Sequence, residues 1–231
     1  MHSRQEVLGR MVRYTALGDS ITAGEATTRP SLAYPNLVIS MLASTWQHNM
    51  VQGQVLAEPG FTSLALEHAV MQNSAAYLSN ASAITIWVGG DDLAYAALAG
   101  LASRNGNSVS QAIRLYGVHL AALINRIRAV SMATIIVCTQ YNPFPNSQIA
   151  ANGINALNNM TVTVSEQNSA VIADTHNWFE GRERELIAGY RTGKIEDVTR
   201  SLPIHPNNRG HEVIAKGLFP LIFASTNRTV K

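Results

Sequence analysis

The most informative stretch of this 231-residue chain reads Ala16-Leu17-Gly18-Asp19-Ser20-Ile21-Thr22-Ala23-Gly24. It continues an apolar run that begins at Val12, and short apolar runs rich in β-branched residues are typical of buried parallel strands. The glycines on both sides of Ser20 indicate tight turns. Because open α/β sheets bind ligands at the carboxyl ends of their strands, Ser20 is a candidate nucleophile. Gly, Asp and Ser are also common in ordinary turns, so the stretch alone leaves a purely structural role open.

Short β-rich runs alternate with longer segments of helical periodicity along the whole chain. The predicted strands are Val12 to Leu17, Gln54 to Ala57, Ile84 to Val88, Ile135 to Thr139 and Ala170 to Ala173. The main predicted helices are Ala33 to Ala43, Leu64 to Leu78, Ser110 to Val130, Ile149 to Val164 and Arg209 to Phe223. A short helix capped by Asp92 is also predicted from Leu93 to Leu98, with a loop from Gly100 to Asn107. This alternation predicts an α/β fold built from βαβ units around a mostly parallel sheet. Right-handed crossovers then favour a three-layer α/β/α sandwich.

Composition limits the classes of partner. A length of 231 residues without a linker rich in Pro, Gly or Ser predicts a single domain over residues 1–231. Lys and Arg number 17 and Asp and Glu 15, without blocks of like charge, so neither nucleic acid nor an anionic membrane is indicated. No apolar run approaches the length of a membrane span. The polar start of the chain lacks a signal-peptide core, so we expect a cytoplasmic protein.

Four groups of residues fall at predicted strand ends or just before the last helix: Ser20, Gly60, the run Gly89-Gly90-Asp91-Asp92, and His205. The carboxyl ends of parallel strands share one edge, so these residues could converge. A Ser hydroxyl becomes a good nucleophile when a base such as His accepts its proton. Backbone N–H groups at glycine turns can stabilise the oxyanion that forms during acyl transfer. No metal, dinucleotide or P-loop motif accompanies them, so we expect no cofactor.

These residues resemble the sequence blocks of the GDSL, or SGNH, hydrolases. Gly18 to Gly24 matches the first block, Gly60 the second, and Gly89 to Asp92 the third, Gly-X-Asn-Asp. Ile204-His205-Pro206, followed by Gly210 and Ile214-Ala215, matches the block around the catalytic His. The blocks occur in family order over nearly the whole chain. The resemblance implies a flavodoxin-like fold with a five-stranded parallel sheet.

The resemblance also implies a mechanism, in which esters or thioesters are hydrolysed through an acyl-enzyme on Ser20. His205 would take the proton of the Ser20 hydroxyl and return it to the leaving group. The oxyanion hole would use the N–H groups of Ser20 and Gly60, together with the side chain at position 91.

Two positions depart from the family pattern. The family Asn is replaced by Asp91, which can donate a hydrogen bond to an oxyanion only when protonated. Burial and the neighbouring Asp92 would both raise the pKa of Asp91 and favour that form. The family Asp three residues before the His is replaced by Leu202. Asp197 or Glu196 could take its place, or a backbone carbonyl could hold the imidazole of a Ser-His dyad; the spacing favours the dyad.

Two hypotheses of function follow. The retained Ser20, Gly60 and His205 favour an esterase that acts on small to medium acyl groups and has a small-molecule ester as its substrate. Asp91 and Leu202 favour the alternative, a catalytically weakened or inactive module that binds an acylated or carbohydrate ligand. The sequence leaves the identity of the ester and the oligomeric state open. The remaining histidines are expected to be surface or capping groups: His2, His48, His68, His119, His176 and His211.

Overall fold

The computed structural model describes residues 11–45, 50–103 and 107–228, so His2 and His48 lie outside the described residues. One parallel sheet runs through its centre with strand order β2-β1-β3-β4-β5. Its strands are β1 Val12–Gly18, β2 Val51–Ala57, β3 Ala83–Trp87, β4 Thr134–Cys138 and β5 Val171–Ala173. Every pairing in this sheet is parallel. The predicted α/β/α sandwich with a five-stranded parallel sheet is therefore confirmed.

Helices cover both faces of the sheet. In the described part of the chain they are α1 Ser20–Ala23, α2 Tyr34–Thr45, α3 Ser63–Tyr77, α4 Gly90–Ser103, α5 Ser108–Val130, α6 Gln148–Gln167, α7 Thr175–Phe179, α8 Glu183–Leu186, α9 Val198–Ser201 and α10 Asn208–Arg228. One apolar core lies between the sheet and helices α2, α7 and α10. A second lies between the sheet and α3, α5 and α6. No helix among the described residues is long and apolar enough to cross a bilayer.

The register of the sheet brings three strand ends to the same level. Gly18, the last residue of β1, pairs with Ala57 of β2 and with Trp87 of β3. The chain therefore leaves all three strands at one edge, and the segments that follow carry Ser20, Gly60 and Asp91. Side chains of β1 and β3 alternate between the two cores, with Ala16 in one and Leu17 in the other. Because both faces of the central strands are buried, their sequences are mostly apolar instead of alternating between apolar and polar residues.

Most of the predicted boundaries shift by a few residues, and two of these differences have a clear physical reason. Strand β2 begins at Val51 rather than Gln54. The sequence does not indicate this start, because Gln52 and Gly53 are exposed at the edge of the sheet and carry no apolar pattern. Helix α4 runs from Gly90 to Ser103, whereas the sequence predicted a short helix from Leu93 to Leu98 and a loop from Gly100. Its Ala-rich composition has high intrinsic helix propensity. Asp91 and Asp92 in its first turn interact favourably with the helix dipole.

Candidate active site

Ser20 lies in a tight strand-to-helix turn at the edge of the sheet. Asp19 caps helix α1, because its Oδ1 atom accepts a hydrogen bond of 3.0 Å from the backbone N–H of Ile21. Gly18 must lack a side chain, since an added Cβ would lie 2.4 Å from the carbonyl oxygen of Trp87. Asp19 is 2% exposed, and this burial raises its pKa to about 8. The turn thus fixes the position of Ser20. The carboxyl group of the neighbouring Asp19 is largely un-ionised at neutral pH.

His205 lies next to Ser20 although the two residues are far apart in the sequence. The two side chains are 185 positions apart, yet Ser20 Oγ and His205 Nε2 are separated by 2.9 Å. The segment that carries His205 is anchored on both sides: the carbonyl of His205 accepts from the N–H of Ala188, and the Tyr141 hydroxyl donates to the carbonyl of Ile204. Burial lowers the pKa of His205, and the nearby charge of Glu25 offsets this only in part. A neutral imidazole at this distance can accept the hydroxyl proton.

Two backbone N–H groups are available to bind an oxyanion. Gly60 occupies a turn in which the N–H of Phe61 donates to the carbonyl of Glu58, and its φ of +86° is one that glycine adopts without strain. A Cβ on Gly60 would lie 3.2 Å from the Tyr95 hydroxyl. Ser20 is the first residue of α1, so its N–H has no acceptor within that helix. In the described part of the chain, neither N–H forms a backbone hydrogen bond.

Asp91 opens helix α4 at the same edge. Its pKa is raised to about 6, chiefly by burial and further by the charges of Asp92 and Glu25. Around pH 6 its carboxyl group changes from a hydrogen-bond donor to a repelling anion. Asp91 is half-buried, and its charge interacts with that of Glu25.

Glu25 is the site residue that the sequence reasoning missed. Its Oε2 atom lies 3.1 Å from His205 Nε2, the same nitrogen that contacts Ser20. Glu25 follows Gly24, whose φ of +89° ends helix α1 and turns the chain back toward the sheet edge. The available signal was its position directly after the first sequence block.

A family model for the GDSL-like lipase/acylhydrolase family matches residues 16–213, which include Ser20, Gly60, Asp91 and His205. The chain belongs to this family. It is therefore an ester-hydrolysing enzyme of the lipase and esterase type, as the resemblance of its sequence blocks predicted. No curated protein matches the chain in sequence.

Solved structures share the GDSL fold at low sequence identity. A lipase from a goat rumen metagenome is 21% identical with a TM-score of 0.73, and the match covers 93% of this chain and 97% of that one. A catalytic mutant of an acetylxylan esterase from Geobacillus stearothermophilus is 16% identical with a TM-score of 0.70, covering 93% and 95%. An α/β hydrolase from the metagenome of Lake Arreo in Spain is 19% identical with a TM-score of 0.68, covering 95% and 96%.

Compared with the family pattern, the loop before His205 carries no acid that reaches the imidazole. The Oδ2 atom of Asp197 accepts three hydrogen bonds, from the N–H and hydroxyl of Thr192 and the N–H of Gly193. Burial alone would raise the pKa of Asp197, but these bonds outweigh it and the pKa is lowered. The structure therefore does not bring Asp197 to His205, because its own loop saturates the carboxylate. Leu202, at the family's Asp position, is 52% exposed with a φ of +42°.

The favoured alternative, a backbone carbonyl on the imidazole, is not formed either. The hydrogen bonds of the described residues include none to His205 Nδ1. Both recorded partners of the ring, Ser20 and Glu25, contact Nε2.

Two further expectations need correction. Asp92 does not cap its own helix; its carboxylate accepts from the N–H and the hydroxyl of Ser63 and so caps helix α3. His211 is completely buried, so the surface alternative is wrong, but it does cap a helix, since Tyr34 is the first residue of α2. Its Nδ1 accepts from the N–H of Tyr34, and its Nε2 lies 3.4 Å from the carbonyl oxygen of Glu25. Burial lowers the pKa of His211 to about 4, so its ring stays neutral in the working range of the enzyme.

The surroundings of the site offer no additional ligand cluster. A groove of about 780 Å³ runs between α2 and α10, but its lining does not include Ser20, Glu25 or His205. Within the described part of the chain, no three His, Cys, Asp or Glu side chains are arranged to hold a metal ion.

Proposed function

We propose that this chain hydrolyses carboxylic esters and thioesters of small to medium acyl groups through an acyl-enzyme on Ser20. The observation that carries the proposal is the distance of 2.9 Å between Ser20 Oγ and His205 Nε2. That distance is within the range required of a nucleophile and its general base.

In the first half-reaction Ser20 Oγ attacks the carbonyl carbon of the ester while its proton moves to His205 Nε2. The carbonyl π electrons move onto oxygen, and the N–H groups of Ser20 and Gly60 donate to the oxyanion. When the tetrahedral intermediate collapses, the bond to the leaving alcohol or thiol breaks. The leaving group takes the proton from Nε2, and the acyl group remains on Ser20.

In the second half-reaction water replaces the alcohol. His205 Nε2 accepts a proton from the water as its oxygen attacks the acyl carbon. The same two N–H groups stabilise the second oxyanion. Collapse breaks the bond to Ser20 Oγ, which takes back the proton from Nε2, and the carboxylic acid leaves.

Asp91 completes the oxyanion hole in this proposal when it is protonated. Its pKa of about 6 means that its O–H can donate at acidic pH and that its anion repels the oxyanion at alkaline pH. His205 must be neutral, and burial lowers its pKa below the ordinary value. Deprotonation of His205 should therefore raise the rate as the pH increases, and ionisation of Asp91 around pH 6 should lower it again.

The range of acyl groups is supported by the structural relatives. They include a lipase and acetylxylan esterases, so both short-chain and lipid-like acyl groups occur on this fold. The alternative function, binding of an acylated or carbohydrate ligand without turnover, is favoured by the absence of an acid from position 202. The two functions differ in whether Ser20 is activated.

The test is hydrolysis of nitrophenyl acetate, butyrate and octanoate by the wild type and by Ser20→Ala, with an organophosphonate as a covalent probe of Ser20. We expect turnover by the wild type and a loss of roughly a thousandfold or more in Ser20→Ala. The phosphonate should label the wild type once per chain, on Ser20. A wild type that neither turns over nor becomes labelled would establish the binding module instead.

A further inference from the structure

The imidazole of His205 has a carboxylate on the nitrogen that carries the reacting proton. Glu25 Oε2 is 3.1 Å from Nε2, and Ser20 Oγ is 2.9 Å from the same atom. In Ser-His-Asp triads the acid binds the opposite ring nitrogen. We propose that Glu25 is a positioning residue that holds the protonated Nε2 of His205 and supplies the negative charge missing from position 202. This inference rests on the acyl-enzyme function proposed above.

The contact depends on the protonation state of Nε2. Before the reaction, the lone pair of Nε2 must accept the Ser20 hydroxyl, and a lone pair does not bind a carboxylate. Once Nε2 has taken the proton, its N–H can donate to Glu25 and the imidazolium charge is neutralised. Glu25 thus stabilises the state formed during attack more than the resting state, which is the condition for a contribution to rate.

The backbone of Glu25 is held in place on both sides. Its N–H donates to the carbonyl of Ser20 over 3.0 Å. Its carbonyl lies 3.4 Å from Nε2 of the buried His211. Because His211 Nδ1 accepts from the N–H of Tyr34, the proton of this neutral ring must be on Nε2, where it can donate to Glu25. The backbone of Glu25 is thereby fixed relative to Ser20 and to helix α10, which begins three residues after His205.

The local conformation shows the same constraint. Gly24 and Ala26, on the two sides of Glu25, have φ values of +89° and +64°. An alanine rarely adopts a positive φ, and such conformations persist where the surrounding structure holds them. This turn sets the direction in which the Glu25 side chain leaves the backbone.

Other ionisable groups around this contact come from three elements. The charge of Glu25 acts on Asp91 of helix α4, and the backbone carbonyl of Glu25 contacts His211 of α10. Asp19, in the turn before α1, interacts electrostatically with Asp91. Asp197 and Arg209 are engaged elsewhere, with Thr192 and Glu185 respectively. Loss of the Glu25 charge should therefore act on His205 and, in the same direction, lower the pKa of Asp91.

The experiment compares Glu25→Gln and Glu25→Asp with the wild type, using nitrophenyl acetate from pH 5 to 9. For Glu25→Gln we expect kcat to fall roughly 10- to 100-fold while KM stays within about twofold. The apparent pKa of the acidic limb should fall, because the charge that favours protonated His205 is gone. Glu25→Asp keeps the charge and should recover part of kcat and of the pKa. Glu212→Gln, an exposed acid paired with Lys216, is the matched control and should change neither.

Each result has one meaning. A kcat of Glu25→Gln that equals or exceeds the wild-type value would overturn the proposal, since Glu25 would then be idle or hold Nε2 in an unproductive tautomer. A lower kcat without a pKa change or recovery by Asp would also overturn it, in favour of a packing role. Phosphonate labelling of Ser20 in the wild type keeps these outcomes separate from a failure of the esterase function itself.

Discussion

Asp197 is closer to His205 than Glu25 is in the sequence, but Glu25 is the carboxylate that contacts His205 in the structure. Asp197 stands eight positions before His205, but its carboxylate accepts hydrogen bonds from Thr192 and Gly193. Glu25 stands 180 positions away, and its Oε2 atom lies 3.1 Å from His205 Nε2. Asp197 is 4% exposed, whereas the Glu25 side chain is 42% exposed. The acid near in sequence stabilises a loop, and the acid near in space is free to respond to the charge of His205.

The comparison of Asp197 with Glu25 can be extended to a third acid, Asp91, which lies at the same edge of the sheet as Glu25. Asp91→Asn replaces a titrating group with an amide that donates at every pH. We expect equal rates near pH 5 and a variant that is faster by on the order of tenfold or more at pH 8, given the usual value of one oxyanion donor. The pH profile of kcat/KM for nitrophenyl acetate measures this ratio.

The sign follows from the pKa of about 6 for Asp91: the wild type has the donor below that pH and loses it above. Asp174→Asn is a suitable control, since Asp174 is an exposed helix cap that an amide can replace. If Asp91→Asn is slower than or equal to the wild type at pH 8, Asp91 does not face the oxyanion.

Asp197→Ala tests the other half of the comparison. Removing the carboxylate leaves two N–H groups and a hydroxyl without their acceptor, so the loop before His205 should become less stable. We expect Tm to fall by on the order of 5 °C, with kcat per labelled Ser20 unchanged and the acidic limb of the pH profile in place. Calorimetry and phosphonate titration provide the two measurements.

Asp197→Asn keeps an acceptor oxygen and should lose less stability than Asp197→Ala. A shift of the acidic limb in either variant would mean that the charge of Asp197 reaches His205 and that the comparison with Glu25 is invalid.

The smallest effect is expected from returning the family acid to its usual position with Leu202→Asp. Leu202 has a φ of +42° and is 52% exposed, so an Asp there would be solvated and would fit the left-handed conformation better than Leu does. We expect a gain of a few tenths of a kcal/mol in stability at most, and kcat within about twofold of the wild type. Leu202→Asn separates the backbone effect from the charge. A tenfold rise in kcat for Asp alone would show that the loop can bring this position to Nδ1.

The fold could be predicted because its central strands are buried on both faces. The runs that end at Leu17 and Val88 are mostly apolar and β-branched, and their positions determine where the following turns lie. Strand β2 was placed too late because its exposed edge residues carry no apolar signal. Helix α4 was predicted too short because alanines show little amphipathic contrast.

The candidate site residues could be predicted only where they follow strands, or precede the last helix, in a fixed order. Ser20, Gly60, Asp91 and His205 follow from that order together with the family blocks. Glu25 does not, because its contact depends on the left-handed turn at Gly24 and Ala26 and on the buried ring of His211. Neither a turn's handedness nor a contact across 186 positions can be read from spacing.

The distance in sequence between Ser20 and His205 also has a temporal consequence. In the proposed mechanism, the nucleophile Ser20 is synthesised 185 residues before its base His205. At the usual rates of synthesis this separates the two by about 10 to 40 s. In the proposed mechanism, a chain made only as far as Ser20 has no base for this hydroxyl, which is then a poor nucleophile. Ester hydrolysis would therefore report that the segment carrying His205 has been made and has packed against the turn of Ser20.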